Sequence, residues 1–200
     1  MGVTPSNLVF TIVTGKFDAA PAEFQAAVSQ VLGAELRKEL NVEQIPAPER
    51  IAPNAIALAA AVNHKSTNVN PINPPTGTGR FVLLHDPDSS EEWGNSFRVV
   101  CYAQAPLEIE IGLDPFIAEV AWTWLLDALK ARDARYTYAS GTATKTLSSG
   151  FGTLESQGDG AQIELRASWT PLGNEFGTHA SAWSELICLL AGFPHHDGSA

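Results

Sequence analysis

Residues 161–170 constrain the fold more than any other segment, because their apolar and polar side chains alternate without a break. Successive side chains of a strand point to opposite faces of a sheet, so this alternation predicts one buried face and one face in water. Such a strand belongs to an antiparallel sheet, since the strands of a parallel sheet are covered on both faces. The residues predicted to be buried are Ala161, Ile163, Leu165, Ala167 and Trp169.

Two hairpins are predicted to supply the sheet. Residues 80–85 and 96–105 both show the period of two that is typical of strands, and residues 86–95 between them are rich in turn formers. Residues 136–147 are predicted to pair with residues 161–170 across a second segment rich in glycine and serine. Together the hairpins give an antiparallel sheet of about four strands.

Apolar residues at helical spacing predict four helices, at 21–40, 55–62, 114–132 and 174–191. The second is short, rich in alanine and apolar on most sides, so we expect it to be buried. The third starts with Asp114, which is a favourable capping residue. The predicted order is α-α-β-β-α-β-β-α, an α+β fold with the helices packed on one face of the sheet.

The domain limits follow from composition. Residues 21–194 are predicted to form a single α+β domain, which matches the usual domain size. Residues 64–79 combine Asn, Pro, Thr and Gly, which is typical of a mobile surface loop. Residues 1–20 fit either a tail or an edge strand, and residues 195–200 are predicted to be a tail.

The charge and cysteine content exclude several functional classes. Twelve basic and twenty-two acidic residues give a net charge of −10, which argues against binding to nucleic acid or to an anionic membrane. No apolar run is long enough to span a bilayer, and the first residues do not form a signal peptide. Cys101 and Cys188 both lie in apolar segments, as expected for buried free thiols. We therefore expect a soluble cytoplasmic protein.

The sequence offers no catalytic, metal or cofactor motif. The acidic segment 85–92 lacks the glycine and the closing glutamate of a calcium loop, and its Asp, Pro and Ser residues suit a hairpin turn. Glu108 and Glu110 would share a face in a strand, where guarding a sheet edge is the simpler interpretation. We expect no metal and no cofactor, and we assign no catalytic residue. The polar residues that are candidates for ligand binding are Arg80, His85, Asp86, Arg98, Arg166 and His179.

Several longer segments carry a resemblance to a known family. They include IPAPERIAPNAIALAAAV at 45–62, TGRFVLLHDP at 78–87, EVAWTWLLDAL at 119–129 and LRASWTPLG at 165–173. Through these segments the chain, from about residue 24 to residue 194, resembles an uncharacterised actinobacterial family of about 200 residues that is known only as a domain of unknown function. The resemblance implies kinship but no activity, so it assigns no role to any residue.

Two functions remain open at this point. The first is a non-catalytic cytoplasmic binding or regulatory protein, which forms a homodimer or binds a protein partner through the polar face of the sheet or through a flank that carries tryptophan. The second is an enzyme or small-molecule binder with a polar cleft around His85, Asp86 and His179. Three of the candidate residues gathered in one cleft would favour the second function. The polar face is predicted to carry Gln162, Glu164, Arg166, Ser168 and Thr170 beside Thr142, Thr144 and Thr146.

Overall fold

The computed structural model describes residues 17–63 and 76–195. The predicted tail or edge strand at 1–20 therefore lies almost entirely outside the described residues. The same holds for most of the loop predicted at 64–79 and for the tail predicted at 195–200.

Within the described part, the chain forms six strands and five α-helices. Two short 3₁₀ turns, at Pro87–Ser89 and Gly152–Gln157, lie between strands. In chain order the elements are α1 (Ala22–Leu32), β1 (Leu40–Ile45), β2 (Asn54–Val62), β3 (Thr78–His85), α2 (Ser90–Trp93), β4 (Phe97–Leu107), α3 (Ile109–Leu113), α4 (Ile117–Ala131), β5 (Tyr136–Ser148), β6 (Gly160–Pro171) and α5 (Phe176–Leu190).

All six strands form one antiparallel sheet with the order β1-β2-β3-β4-β6-β5. The α+β fold is confirmed, and so are the two predicted hairpins, which are β3–β4 and β5–β6. The predicted number of about four strands is too low, because β1 and β2 extend the sheet beyond β3.

The prediction of a second helix at 55–62 is wrong, because these residues form most of strand β2. Its side chains alternate in size, with Ile56, Leu58 and Val62 on the helix-covered face. The alanines between them suggest a helix by propensity, but pairing with β1 and β3 overrides this weak local preference.

The first predicted helix is too long at its C-terminal end. It stops at Leu32, where the backbone N–H of Gly33 donates to the oxygen of Ser29 and the N–H of Ala34 donates to the oxygen of Val31. Residues 40–45 then form β1 as an edge strand of the sheet. Leu40 is buried, whereas Asn41 and Glu43 are exposed, so a period of two replaces the helical period beyond residue 39.

Helices α1, α4 and α5 pack on one face of the sheet, and the hydrophobic core lies between these two layers. The largest buried side chains of this core include Trp169 from β6, Phe81 from β3 and Trp183 from α5. The residues predicted to be buried on β6 are all buried, so the inference from strict alternation is confirmed. No helix of the described residues is long and apolar enough to cross a bilayer.

The helix predicted at 114–132 is confirmed as the single helix α4, and the separate one-turn helix α3 precedes it. The one-turn helix α3 ends before Asp114, whose Oδ1 accepts a hydrogen bond of 2.8 Å from the N–H of Phe116, and α4 begins at Ile117. Glu108 precedes α3 and Glu110 lies within it, so the suggestion that they share a face of a strand is wrong. Both side chains are exposed beside the end of the sheet.

Strand β5 contains a bulge between Thr137 and Ser140. Tyr138, within the bulge, has a positive φ of 50° and rests its ring against Gly94 at the end of α2. Gly94 itself has a φ of 76°, and a Cβ atom there would collide with the Tyr138 ring. Both the backbone conformation and the close contact therefore require glycine at this position.

Candidate functional site

The face of the sheet opposite the helices is the main candidate site, and we call it the open face. The one-turn helix α2 touches it at one end, where the backbone oxygen of Trp93 accepts a hydrogen bond from Thr170 Oγ1. Most of the face is at least partly exposed, but Ala57, Leu84 and Thr170 on it are buried. Because side chains alternate along each strand, the sequence directly determines which residues this face displays. Its central rows consist of Asn41, Glu43, Ile45, Ala55, Ala57, Ala59, Ala61, Thr78, Arg80, Val82, Leu84, Arg98, Val100, Tyr102, Gln104, Glu164, Arg166, Ser168, Thr170, Ser140, Thr142 and Thr144.

The polar half of the open face is formed by β4, β6 and β5. Thr142 lies directly opposite Arg166 and Thr144 directly opposite Glu164, so the predicted matching of the two polar strand faces is confirmed. Arg166 Nε donates a hydrogen bond of 2.6 Å to Glu164 Oε1 on the same strand. This half therefore offers hydroxyl groups and an ion pair.

Tyr102 lies near the middle of the open face, between Arg80 on β3 and Arg166 on β6. The guanidinium carbon of Arg166 lies 5.9 Å from the centre of the Tyr102 ring, within the range of a cation–π contact. The phenol donates a hydrogen bond to Gln104 Oε1. Burial, with the nearby Glu164 carboxylate, raises the pKa of Tyr102, so the phenol stays protonated and acts as a donor at neutral pH.

Arg98 is a half-buried cation at the end of the open face that lies next to α2. Its Nη1 donates to Thr170 Oγ1 at 2.9 Å and its Nη2 donates to Ser168 Oγ at 2.7 Å. Among the described residues no carboxylate lies within ion-pair distance of this guanidinium. Burial lowers the pKa of Arg98, although an arginine remains charged at neutral pH.

The other half of the open face, formed by β1, β2 and β3, is apolar and flat. Strand β2 contributes the four alanines Ala55, Ala57, Ala59 and Ala61, and β3 contributes Val82 and Leu84. Val100 on β4 continues this apolar surface toward the middle of the sheet and is 39% exposed. The open face thus combines one half with short apolar side chains and another half with longer polar side chains.

His85 lies on the opposite face, in the core, and is completely buried. Its ring stacks on Phe24 and contacts Phe97, with centroid distances of 5.7 and 4.6 Å. Its Nε2 lies 2.7 Å from Glu23 Oε1 and its Nδ1 lies 3.3 Å from Asn54 Nδ2. These contacts join α1 to the ends of β2 and β3.

His179 is also a core residue, on the buried side of α5. Its Nδ1 accepts a hydrogen bond of 3.0 Å from the indole nitrogen of Trp169. Burial lowers the pKa of His179 from 6.5 to about 4, so the ring is neutral at physiological pH. Its role in the structure is to provide an acceptor for a buried indole.

Asp86 belongs to a turn. Its two carboxylate oxygens accept hydrogen bonds from the N–H of Asp88 and from Ser89 Oγ, at 3.1 and 2.7 Å. This is the local bonding expected of an Asp in a hairpin connection. The structure therefore brings Arg80, Arg98 and Arg166 onto one face, but it does not gather His85, Asp86 and His179 into a cleft.

A second polar site, which we call the charged cleft, lies between the α1–β1 connection and helices α4 and α5 and has a volume of about 970 Å³. At its base Glu185 is only 1% exposed. Its Oε2 accepts hydrogen bonds of 2.9 Å from both Arg37 Nη1 and Arg132 Nη2. Four segments of the chain, including the C-terminal one through His195, meet at this base.

Arg37 is the centre of the charged cleft. It forms two hydrogen bonds of 3.0 Å to Glu39 and a further one of 3.1 Å to the backbone oxygen of Pro194. Burial by itself lowers the pKa of Arg37, but the hydrogen bonds to Glu39 and Glu185 raise it above its ordinary value. The hydrogen bonds from Arg37 also lower the pKa of Glu39, which keeps this carboxylate charged beside the guanidinium.

The sequence analysis missed the residues of the charged cleft. The signal that would have found Glu185 is its place in the segment 179–191, where it is the single carboxylate in a helix that is otherwise apolar on almost every side. A buried charge needs a partner, so this helix required at least one nearby cation. The sequence contains no feature that picks out Arg37 and Arg132 as those cations, because they lie more than fifty residues away.

The comparisons with known proteins give one match. A family model described as a protein of unknown function (DUF3000) matches residues 20–199. The chain belongs to this family. No curated protein and no solved structure matches the chain.

The region shared with the DUF3000 family includes both the open face and the charged cleft. The family description names no activity, so the site itself must supply any argument about function. In the described part of this family member, no group of three or more His, Cys, Asp or Glu side chains is arranged to hold a metal ion.

Proposed function

We propose that the protein is a non-catalytic binding protein that pairs with a second copy of itself through the open face. The observation that supports this proposal is the contrast between the two halves of that face. One half is flat and apolar, and the other carries the longer polar side chains. A twofold axis along the strands, between β3 and β4, places each half of one copy over the opposite half of the other.

The strand register makes this arrangement self-complementary. Near the axis Val82 faces Val100 of the second copy, and Arg80 faces its Tyr102, which allows a cation–π contact. Further out, Arg166 faces the small side chain of Ala59. Each charged residue of the face lies over an uncharged one, so no like charges are opposed.

The size of the face suits a stable dimer. Six strands about 4.8 Å apart and roughly eight residues long give a face of roughly 750 Å². Standard protein interfaces bury about 800 Å² on each partner. Two sheets stacked in this way pack about 10 Å apart with their strands at about −30°, as in β-sandwiches.

The charge of the face also permits self-association. The whole chain has a net charge of −10, which favours repulsion between copies. The open face instead carries three arginines, Arg80, Arg98 and Arg166, against the two glutamates Glu43 and Glu164. The excess negative charge therefore lies elsewhere on the molecule.

The test combines Arg166→Glu with Thr144→Glu. Both substitutions place carboxylates inside the proposed interface, so we expect the dimer to dissociate at concentrations at least tenfold higher than for the wild type. The matched control is Lys130→Glu with Thr123→Glu, which makes the same charge change at exposed positions of α4. Light scattering measures the mass and circular dichroism the fold. A wild type that is monomeric at every concentration, or a double variant that remains dimeric, contradicts the proposal.

The charged cleft supports a second candidate function, which is small-molecule binding. Its volume of about 970 Å³ is at the upper end of the range for ligand sites, and buried charges such as Glu185 are frequent in them. Thermal shift with panels of organic acids, amines and nucleotides tests this function. A stabilising ligand class whose effect disappears in Arg132→Met would favour it.

A further inference from the structure

Six of the large apolar side chains that are exposed in the described part of the chain lie at one end of the sheet. This is the end at which β4 and β5 finish and β6 begins, opposite the end that holds His85. Three of these residues come from α3 and the start of α4, and three come from the end of β5 and the turn after it. We call this surface the apolar end, and it consists of Ile111, Leu113, Phe116, Leu147, Phe151 and Leu154.

Two contacts bring the segments of the apolar end together. Gly112 of α3 packs so closely on Ala161 and Leu147 that a Cβ atom at position 112 would collide with Ala161. Lys145 Nζ donates a hydrogen bond of 3.1 Å to the backbone oxygen of Asp114. Helix α3 is thereby fixed against the β5–β6 hairpin, and its outer apolar side chains lie beside those of β5.

The exposure of these side chains is large. Leu113 is 61% exposed, Phe116 is 62% exposed and Phe151 is 81% exposed. So many large apolar side chains exposed at one end of a sheet are uncommon on a soluble protein unless they serve as an interaction site. The apolar end lies outside the open face, so dimer formation through that face would leave it uncovered.

The charged side chains within the two segments that form the apolar end all have one sign. The two segments that form it, residues 106–119 and 147–160, contain no Lys, Arg or His. The nearest cation that the structure ties to it is Lys145, which is bonded to Asp114. The acidic rim consists of the exposed residues Glu108, Glu110, Asp114, Glu119, Glu155 and Asp159.

We propose that the apolar end docks a basic amphipathic segment of another protein. The apolar side chains of the segment would contact Leu113, Phe116 and Phe151, and its Lys and Arg side chains would pair with the acidic rim. An apolar centre with a charged periphery is the usual anatomy of a protein interface. The same acidic rim repels phosphate groups, so it disfavours an anionic membrane as the occupant.

The test uses a synthetic peptide of eighteen residues with leucines on one helical face and lysines on the other. Binding to the wild-type protein is measured by fluorescence anisotropy at low and high salt. We expect saturable binding that weakens as salt rises, because the rim charges are exposed and screened. Leu113→Ser combined with Phe116→Ser should weaken binding at least tenfold while the fold remains intact by circular dichroism.

The controls separate this surface from general attraction to an acidic protein. Ile51→Ser removes an equally exposed apolar side chain, 55% exposed, from the opposite end of the sheet and should leave binding unchanged. A peptide of the same composition in shuffled order should bind at least tenfold more weakly, because its apolar side chains no longer share one face. The variant with Arg166→Glu and Thr144→Glu should bind as well as the wild type, which distinguishes this proposal from the dimer.

Three outcomes would overturn the proposal. The first is no saturable binding of the amphipathic peptide, and the second is equal binding by the wild type and the Leu113→Ser, Phe116→Ser protein. The third is binding of phosphatidylcholine vesicles in the absence of peptide binding, which would assign the apolar end to lipid.

Discussion

The two faces of the sheet are built from the same six strands, yet they differ in almost every physical property. The covered face holds large apolar side chains such as Leu165 and Trp169, which lie against the helices. The open face holds alanines, threonines and arginines on the intervening positions. The covered face must fit the helices packed on it, whereas core packing constrains the residues of the open face much less.

The largest expected effect is a difference in the free energy of unfolding between variants of two glutamates that both pair with arginine. Glu185, in helix α5, is 1% exposed, whereas Glu164 on the open face pairs with an arginine that is 70% exposed. Glu185→Ala should cost about 3–5 kcal/mol, because it removes the buried carboxylate that Arg37 and the partly buried Arg132 share. Glu164→Ala should cost less than about 1 kcal/mol. Urea denaturation measures the loss of stability in both variants. Equal losses would contradict the contrast between the buried and the exposed ion pair.

The next comparison concerns apolar side chains on the two faces. Leu165→Ala should cost about 2–5 kcal/mol, since it leaves a cavity in the core. Val100→Ala, on the open face, should cost the monomer less than about 1 kcal/mol, because its side chain is 39% exposed there. Thermal unfolding of both variants checks this prediction. Wild-type stability in the Leu165→Ala protein would refute the assignment of the core.

The last comparison concerns the pH dependence of the covered side, which the described residues of the open face do not share through any histidine. The pKa of His179 is about 4 when folded and 6.5 ordinarily, so the unfolded chain binds the proton more tightly. The contribution of neutral His179 to folding stability is therefore complete above about pH 6.5 and is lost as the pH falls toward 4. At about 1.36 kcal/mol for each pKa unit, the total contribution is about 3 kcal/mol.

The control for this pH effect is His179→Gln, which keeps an oxygen acceptor for the indole of Trp169 but does not titrate. Its stability should fall less than that of the wild type between pH 6.5 and pH 4. Parallel pH profiles for the two proteins would show that His179 is not the group responsible.

The sequence predicted the second half of the fold better than the first. From β3 onward the strands have clear alternation and the helices have clear apolar faces, so the local pattern agrees with the final structure. In β2 both the residues of the core face and the alanines of the open face are apolar. The sequence of this strand therefore lacks the alternation of apolar and polar residues that identifies a strand. Only the pairing with neighbouring strands distinguishes such a segment from a buried helix.

The open face was predictable for the same reason that β6 was predictable. Once the buried residues of a strand are known, the others must form the opposite face. The charged cleft was not predictable, because Arg37 and Glu185 meet only through the tertiary fold. Single residues such as His85 and His179 were assigned to a ligand site because the sequence does not reveal which polar groups find a partner in the core.

The order of the strands has a consequence for how the chain folds. Strands β1 to β4 are neighbours in both sequence and space, and so are β5 and β6, so each group closes by connections of at most fifteen residues. Among the described strands, the pairing that spans the longest stretch of chain is β4 with β6, which encloses helices α3 and α4 and strand β5. Contacts between distant residues carry the largest loss of chain entropy and form slowly. We therefore expect two units that form early, and a rate of folding that is set by the joining of β6 to β4.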